Sequence, residues 1–457
     1  MIDIGHYLQA FSKLPEGAAW AEVNVDLRRE TTIKVRKGEQ SGCESFERIS
    51  VYLRASDGER VGTVYTELLS EDPVKLITAA IANAAHINNA TGAKPNISGN
   101  LAFINPGSPD VDPSEIRERA IQLEKELQAN NERLNITECS IRHTTQARRV
   151  ANSFGMDSTQ EHSFYLANVR AMRPRPVGGF VSASALASAV SLDELDLSAL
   201  AAMLDSKIER MDGKGNLPRL QIPSGNYSCV LSADVVCQIM ITTWQEFVAD
   251  YMSAGKAAFP PAPGTIVGSS CLSIIDSPEH PEWGYSLRLD SEGTECFAKD
   301  IVSEGVLVTP LHNLSSAAAA GGTPTGNAGR AALLTGMVPV NIITIPSIIY
   351  IKPGEASEEE LTEQMADGLL LTYSLDEFHS INIASGEFSI PCGGIVYEGG
   401  KPRGTVEQIT ISGNIKELFL DIQNVGRDLQ LREFNYKNYC FGGPSLLIKN
   451  LIISSAD

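Results

Sequence analysis

Near the start of the chain, apolar and polar residues alternate with a period of two through VNVDL, TTIKVRKGE and SVYLRASDGERVGTVYT. That period belongs to strands with one buried face. Val51, Leu53 and Ala55 share one side, Asp57-Gly58 supplies turn chemistry, and Val61 to Thr66 runs back, so this stretch reads as a hairpin. The period then lengthens. Pro73 suits a first helical turn, and Val74, Ile77, Ile81 and Ala84 follow at helical spacing. A second helix opens near Asp112-Pro113-Ser114, with Ile116, Ala120, Leu123 and Leu127 on one face.

From about Thr137 the strand pattern returns, with ANSFGMD as a turn and HSFYLANVRA beyond it. Helices and strands are mixed without strict alternation, which favours an α+β layer over a doubly wound sheet. A Leu- and Asp-rich helix is expected from roughly Ser191 to Arg210, and the Gly and Pro residues of MDGKGNLPRLQIPSG then mark a domain boundary near Lys214. The expected domains are 1–214, mixed α/β, and 215–457, rich in β-structure. The second opens with the strand YSCVLS and a helix carrying Cys237, Met240, Ile241, Trp244 and Val248 on a broad apolar face. Short β-rich runs dominate the rest, with further helices expected at Ser357–Leu369 and Ile415–Val425.

The chain has 457 residues, with 37 Lys and Arg against 56 Asp and Glu and a net charge of −19. Phosphate backbones and anionic membranes are bound by clustered cations, so neither is the expected partner. No run of about 18 or more apolar residues occurs, and MIDIGHYLQAF lacks the basic and apolar segments of an export signal. A cytoplasmic protein is expected. The eight cysteines are widely spaced with no CxxC among them, and buried inert thiols are expected, Cys271 and Cys296 included.

The string DSEGTECFAKDIVSEGVLVTPLHNLSSAAAAGGTPTGNAGR, Asp290 to Arg330, resembles the signature region of the TldD/PmbA family, with its acidic turn, its "GVL" strand and its "TGN" loop. Further stretches agree in order: RKGE at Arg36, ANSFGMD at Ala151, SGNYSCVLSADV at Ser224, ISGNIKELFLDIQNVGRD at Ile411 and GGPSLLIKNLII at Gly442. The resemblance implies an N-terminal α/β domain, a β-rich C-terminal domain of barrel-like form, and dimers enclosing a cavity. It also implies kinship with zinc proteases that act on unfolded peptides. In TldD-type members an HExxxH segment follows the "VLS" strand and a C-terminal Cys completes the metal site. Two imidazoles hold zinc there, and a carboxylate takes a proton from its bound water.

This chain departs from that pattern. Where the motif falls in the family, Met240 to Glu246 reads MITTWQE, and no histidine lies between Ser232 and Glu279. Trp244 and Glu246 read as a core aromatic and a solvated acid on one helix. Cys440, in YCFGGPS, does not match the family's Cys loop. His280 with Glu282 is the nearest alternative pair, and it reads as a surface loop, because a catalytic zinc takes three protein ligands. The glycines of GGTPTGNAGR lack the ending of a phosphate-binding loop. Arg330 is expected to pair with a carboxylate, a substrate's or that of Asp290.

The resemblance therefore points to the PmbA (TldE) branch: a subunit with no catalytic residues and no metal or other cofactor of its own. Zinc is expected only in a TldD-type partner. The chain would form homodimers or heterodimers with such a protease and shape a cavity for unfolded peptides. Expected substrate contacts are Trp244, Glu246, His312, Thr325, Asn327 and Arg330. The alternative is an active peptidase, or an enzyme processing a peptide-derived product, with a rearranged site. A third class, a regulator of DNA gyrase, follows from the family's historical label and has no basic stripe to support it.

Overall fold

The computed structural model describes residues 2–86, 94–97, 99–104, 111–130, 134–175, 179–212, 217–260, 262–330, 341–433 and 439–455. The boundary expected near Lys214 lies outside the described residues. In the N-terminal half the elements are α1 (Gly5–Phe11), β1 (Trp20–Arg36), β2 (Glu39–Ser56), β3 (Val61–Thr66), α2 (Pro73–Ala84), β4 (Ala102–Ile104), α3 (Pro113–Asn130), β5 (Asn135–Asn152), β6 (Asp157–Pro174), β7 (Phe180–Ala189) and α4 (Leu197–Asp212). The strands form one sheet in the order β3-β2-β1-β5-β6. The far side of β6 is shared by β4, parallel, and β7, antiparallel.

The long β1–β2 hairpin turns on Lys37-Gly38, both with positive φ, at 56° and 76°. A two-residue turn matching the twist of its strands needs that backbone, which is why Gly sits there. Glu124, buried on α3, accepts from both turn amides at 2.8 and 2.6 Å. Ile116, Ala120, Leu123 and Leu127 of α3 are fully buried, as their spacing predicts. On α2 the buried face is instead Leu76, Ile77, Ala80 and Ala84, with Val74 exposed, because the helix packs on β2 and β3 one position round from the apolar spacing. The Leu- and Asp-rich helix begins at Leu197 rather than Ser191.

The C-terminal half contains β8 (Gly225–Leu231), α5 (Ala233–Thr243), a 3₁₀ turn at Trp244–Phe247, α6 (Ala249–Ser253), β9 (Ile274–Ser277), β10 (Lys299–Ser303), β11 (Val306–Leu307), α7 (Leu314–Ala320), β12 (Ala328–Gly329), β13 (Ile343–Thr344) and β14 (Ile348–Ile351). Then follow α8 (Glu358–Met365), β15 (Gly368–Ser374), α9 (Glu377–Ser380), β16 (Glu387–Glu398), β17 (Lys401–Asn414), α10 (Ile415–Leu420), β18 (Ile422–Val425), β19 (Gln430–Glu433), β20 (Cys440–Gly443) and β21 (Leu446–Ser455). Strands β17-β16-β15-β8-β21 pair in that order, and β17 pairs again with β21, from Ile409↔Ser455 to Ser412↔Ile452, which closes a five-stranded barrel. A second sheet runs β11-β10-β9-β14-β20-β19. Buried α5 residues and residues of both sheets share one core.

The expected fold class, α+β with a barrel-like second half, is the observed one. Two helix ends differ. The helix expected to reach Val425 stops at Leu420, because Ile422 and Val425 pair with β21 as an edge strand. The helix expected to reach Leu369 stops at Met365, since Gly368 opens β15. Cys271 is exposed rather than buried, as is Cys43. No helix among the described residues is long and apolar enough to cross a membrane.

Candidate functional site

Apolar residues on almost every side of α5 bury it, with Val235, Val236, Cys237, Ile239 and Met240 at 3% exposure or less. The helix tightens into the 3₁₀ turn at Trp244, so MITTWQE spans the junction of two helical forms. The Trp244 indole N–H donates to the Ile241 carbonyl at 3.0 Å, and its ring lies 5.4 Å from that of Tyr439. Glu246 is not the solvated acid that the sequence suggests. It is completely buried, and its Oε2 accepts from the amides of Ala258 (2.6 Å) and Phe259 (3.3 Å) while Oε1 has no hydrogen-bond partner. Burial pushes its carboxyl up to about 7, and the two amides only partly oppose this.

These residues do not fit zinc. The turn offers one carboxylate already committed to backbone amides, no imidazole lies between Ser232 and Glu279, and no cluster of three or more His, Cys, Asp and Glu occurs among the described residues. His280 and Glu282 instead close a small turn. The Glu282 amide donates to His280 Nδ1 at 3.2 Å, and the imidazole stands edge-on to Tyr350.

The acidic turn of the signature serves as a clamp between the two halves. Asp290 accepts from the amides of Glu292 (2.8 Å), Thr294 (2.9 Å) and Ala328 (3.0 Å), and burial with Glu292 beside it pushes its carboxyl up to about 7. Glu292 binds Arg54 on β2 at 2.7 Å and the Leu314 amide at 2.8 Å. Asn24 on β1 donates to the Ser291 carbonyl, and Arg148 on β5 donates to that of Leu289. The pairing of Arg330 with Asp290 is not formed, because backbone amides take both Asp290 oxygens. Arg330 lies over the Tyr52 ring, 4.2 Å from its centroid, and none of its guanidinium nitrogens has a hydrogen-bond partner among the described residues. Burial, with Arg54 adding to it, pulls this guanidinium down to about 10.

His312, Thr325 and Asn327 come together. Thr325 Oγ1 accepts from the His312 amide at 2.7 Å and lies 2.7 Å from Asn327 Oδ1. Asn327 then donates to Asp276 Oδ2 (2.8 Å) and the Ile345 carbonyl (3.0 Å), and accepts from Lys299 Nζ (3.2 Å). Asp276 pairs with Lys299 at 2.8 Å and accepts from the Ser347 amide at 2.7 Å, with the carboxylate at 0% exposure. The imidazole of His312 is half-buried, which pulls its proton affinity down, and lies 3.3 Å from Ser316 Oγ. The backbone ties this loop to the turn after α5, where the Leu311 amide donates to the Phe247 carbonyl. Gly326 allows the loop to pass close, since a Cβ there would lie 2.5 Å from the Glu295 carbonyl oxygen. Asp276 and Lys299 were missed by sequence reasoning; their one signal is a charge that ends a short apolar run, Asp276 after Ile274-Ile275 and Lys299 after Cys296-Phe297-Ala298.

A groove of 1580 Å³ lies elsewhere, between the β4, β6, β7 and α4 side of the N-terminal half and the 279–288 loop with β14 and β19. Phe103, His162, Trp283, Tyr285 and Tyr350 give it an aromatic lining, and Glu161, Glu194, Asp196, Glu279 and Glu282 outnumber Lys207, Arg288 and Arg432. His162 is buried with neither ring nitrogen hydrogen-bonded, and burial, with Arg148 adding to it, pulls its imidazole down to about 3. None of the six sequence-predicted contact residues lines this groove.

Known proteins share this architecture. A structure from Thermotoga maritima described as a modulator of a DNA gyrase superposes with TM-score 0.80 at 23% identity, covering 99% of both chains. TldE from Thermococcus kodakarensis superposes with TM-score 0.79 at 17% identity, covering 99% of this chain and 100% of its own. In sequence, a Haemophilus influenzae metalloprotease PmbA homolog is 24% identical over 84% of this chain and 81% of its own. A metalloprotease of Archaeoglobus fulgidus is 29% identical over 46% of this chain and 47% of its own, so the chain spans about half the length of such curated relatives. The model of the PmbA/TldA metallopeptidase C-terminal domain matches residues 224–455, and that of domain 1 of the same metallopeptidases matches residues 21–84. The chain belongs to the PmbA/TldD family of metalloprotease-like proteins.

Proposed function

We propose that this chain is a TldE-like subunit of a two-component protease system, contributing peptide binding rather than hydrolysis. The observation that carries this reading is the turn after α5, where the family's zinc-binding protease members place imidazoles and this chain places Trp244 in packing and Glu246 in a closed pocket. Peptide binding is supported by the groove. Its 1580 Å³ exceeds the roughly 300–1,000 Å³ of a small-molecule site, and its surplus of acids favours non-acidic polymer segments. Of the six expected contacts, Arg330 keeps its guanidinium nitrogens and Glu246 one oxygen without a partner among the described residues, whereas the amide of Asn327 is committed internally. A dimer with a TldD-type protease would supply the zinc and the bond cleavage.

The test is peptide cleavage with full-length chain, alone and mixed with a TldD-type protein carrying HExxxH. The reading expects cleavage of an unfolded peptide only in the mixture, unchanged by Glu246→Gln in this chain. A second reading, a peptidase with a rearranged site, draws on the proton affinity of Glu246 near neutrality, which suits acid–base work. It expects cleavage by this chain alone, lost in Glu246→Gln.

A further inference from the structure

The long β1–β2 hairpin leaves one side of its second strand bare. β3 pairs with β2 only from Val51 to Ser56, and among the described residues no strand meets the outer edge of β2 before that point. Glu39 to Arg48 are exposed, Gly42 alone being half-buried, so neither face of this stretch is covered. Natural sheets blunt a free edge with proline, lysine or a covering segment, and Cys43 to Ile49 has none of these. At about 3.3 Å per residue the bare stretch from Cys43 to Ile49 is about 23 Å long.

The register decides which backbone groups lie on that edge. At the β2–β3 turn the Asp57 amide donates to the Arg60 carbonyl, and the pattern alternates from there. Odd-numbered residues of β2 therefore aim amide and carbonyl to the β3 side, and even-numbered residues aim them at β1. The β1–β2 register runs unbroken from Gly42 to Ser56, its one shift lying between Lys34 and Val35 of β1. Cys43, Ser45, Glu47 and Ile49 thus present both backbone groups outward, and none of these groups has a hydrogen-bond partner among the described residues.

We propose that this edge pairs with the same edge of a second copy of the chain, antiparallel about a two-fold axis at Phe46. The side chains choose that centre. With the axis at Glu44, Glu47 or Arg48, a charged residue would face itself, and with the axis at Cys43 or Ser45 no opposite charges would meet. With the axis at Phe46, Glu44 of each copy stands opposite Arg48 of the other, and no like charges face one another. Arg48 is exposed and has no carboxylate partner among the described residues. Glu44 pairs with Lys34 across the hairpin at 2.5 Å, both of them exposed, and its second oxygen is free to take Arg48. Phe46, 44% exposed, would meet its own mate in a non-hydrogen-bonded pair, where facing side chains come closest. Main-chain hydrogen bonds would then join Ser45 to Glu47 and Cys43 to Ile49 of the second copy, each twice.

The pairing joins the N-terminal sheets of two copies into one. β2 lies toward the opposite end of its sheet from the β4, β6 and β7 side that walls the large groove, so both grooves stay open. It does not depend on what the groove holds.

The test is sedimentation equilibrium of full-length chain at micromolar concentrations, which should show a reversible equilibrium between monomer and dimer. Ser45→Pro removes one outward amide hydrogen and no backbone bond of the hairpin, so this variant should fold and remain monomeric. Arg48→Glu sets like charges opposite one another twice and should weaken association about tenfold, and adding Glu44→Arg to the same chain should restore it. A monomeric parent chain overturns the proposal, including one that associates only with a TldD-type protein. So does a dimer that either Ser45→Pro or Arg48→Glu leaves at parent strength, or that the double charge reversal fails to restore.

Discussion

Two buried carboxylates of the C-terminal half, Asp276 and Glu246, are linked through segment 311–327 and meet opposite surroundings. Asp276 receives an ammonium, an amide side chain and a backbone amide, so both of its oxygens are satisfied. Glu246 receives two backbone amides on one oxygen and nothing on the other, and it holds its proton up to about pH 7. The difference separates scaffold from chemistry. The signature loop is held by a closed polar network, while Trp244 and Phe247 of the turn after α5 are part of the apolar core.

The comparison breaks most visibly at Lys299. Lys299→Ala leaves the Asp276 carboxylate buried without its counter-ion, and about 3–5 kcal/mol should be lost in urea unfolding. A loss under 1 kcal/mol would mean that the network is not what holds the loop. Replacing both partners by near-isosteres, Asp276→Asn with Lys299→Met, should cost less than Lys299→Ala alone, since no charge is stranded. Asn327→Ala should cost about 1–3 kcal/mol by the same measurement, because it takes a partner from the Ile345 carbonyl and the Thr325 hydroxyl while Lys299 still holds the Asp276 oxygen.

On the other side of the comparison the sign reverses. Burial holds the proton on folded Glu246 up to about 7, against 4.5 for an ordinary glutamate, so the folded form binds more protons between those values. Stability should therefore fall as pH rises through that window, and Glu246→Gln should flatten the slope. Above pH 7 the Gln variant should be more stable than the parent by about 1–2 kcal/mol. Equal slopes in thermal melts from pH 5 to 8 would show that Glu246 is solvated after all.

Local pattern carried the hairpin at Asp57-Gly58, the α3 face and the burial of Trp244, because each depends on residues near in sequence. The barrel's closure depends on β17 meeting β21, and nothing local in Ile409–Ser412 announces that pairing. The same limit hid the site. A buried Glu246 and a solvated one have identical sequence, and only the fold of 258–259 over the turn decides between them. The Lys299–Asp276 pair joins strands 23 residues apart, and each charge alone looks like an ordinary strand end. Arg330 read as a carboxylate partner because Asp290 opens the same signature; three backbone amides claim that acid first.

The proposal that this chain contributes binding rather than hydrolysis is tested most directly by its metal content. Zinc bound to the purified full-length chain, measured by plasma mass spectrometry after dialysis against zinc-containing and then metal-free buffer, should be far below one ion per chain and unchanged in Glu246→Gln. One tightly held zinc per chain, lost in Glu246→Gln, would contradict the account.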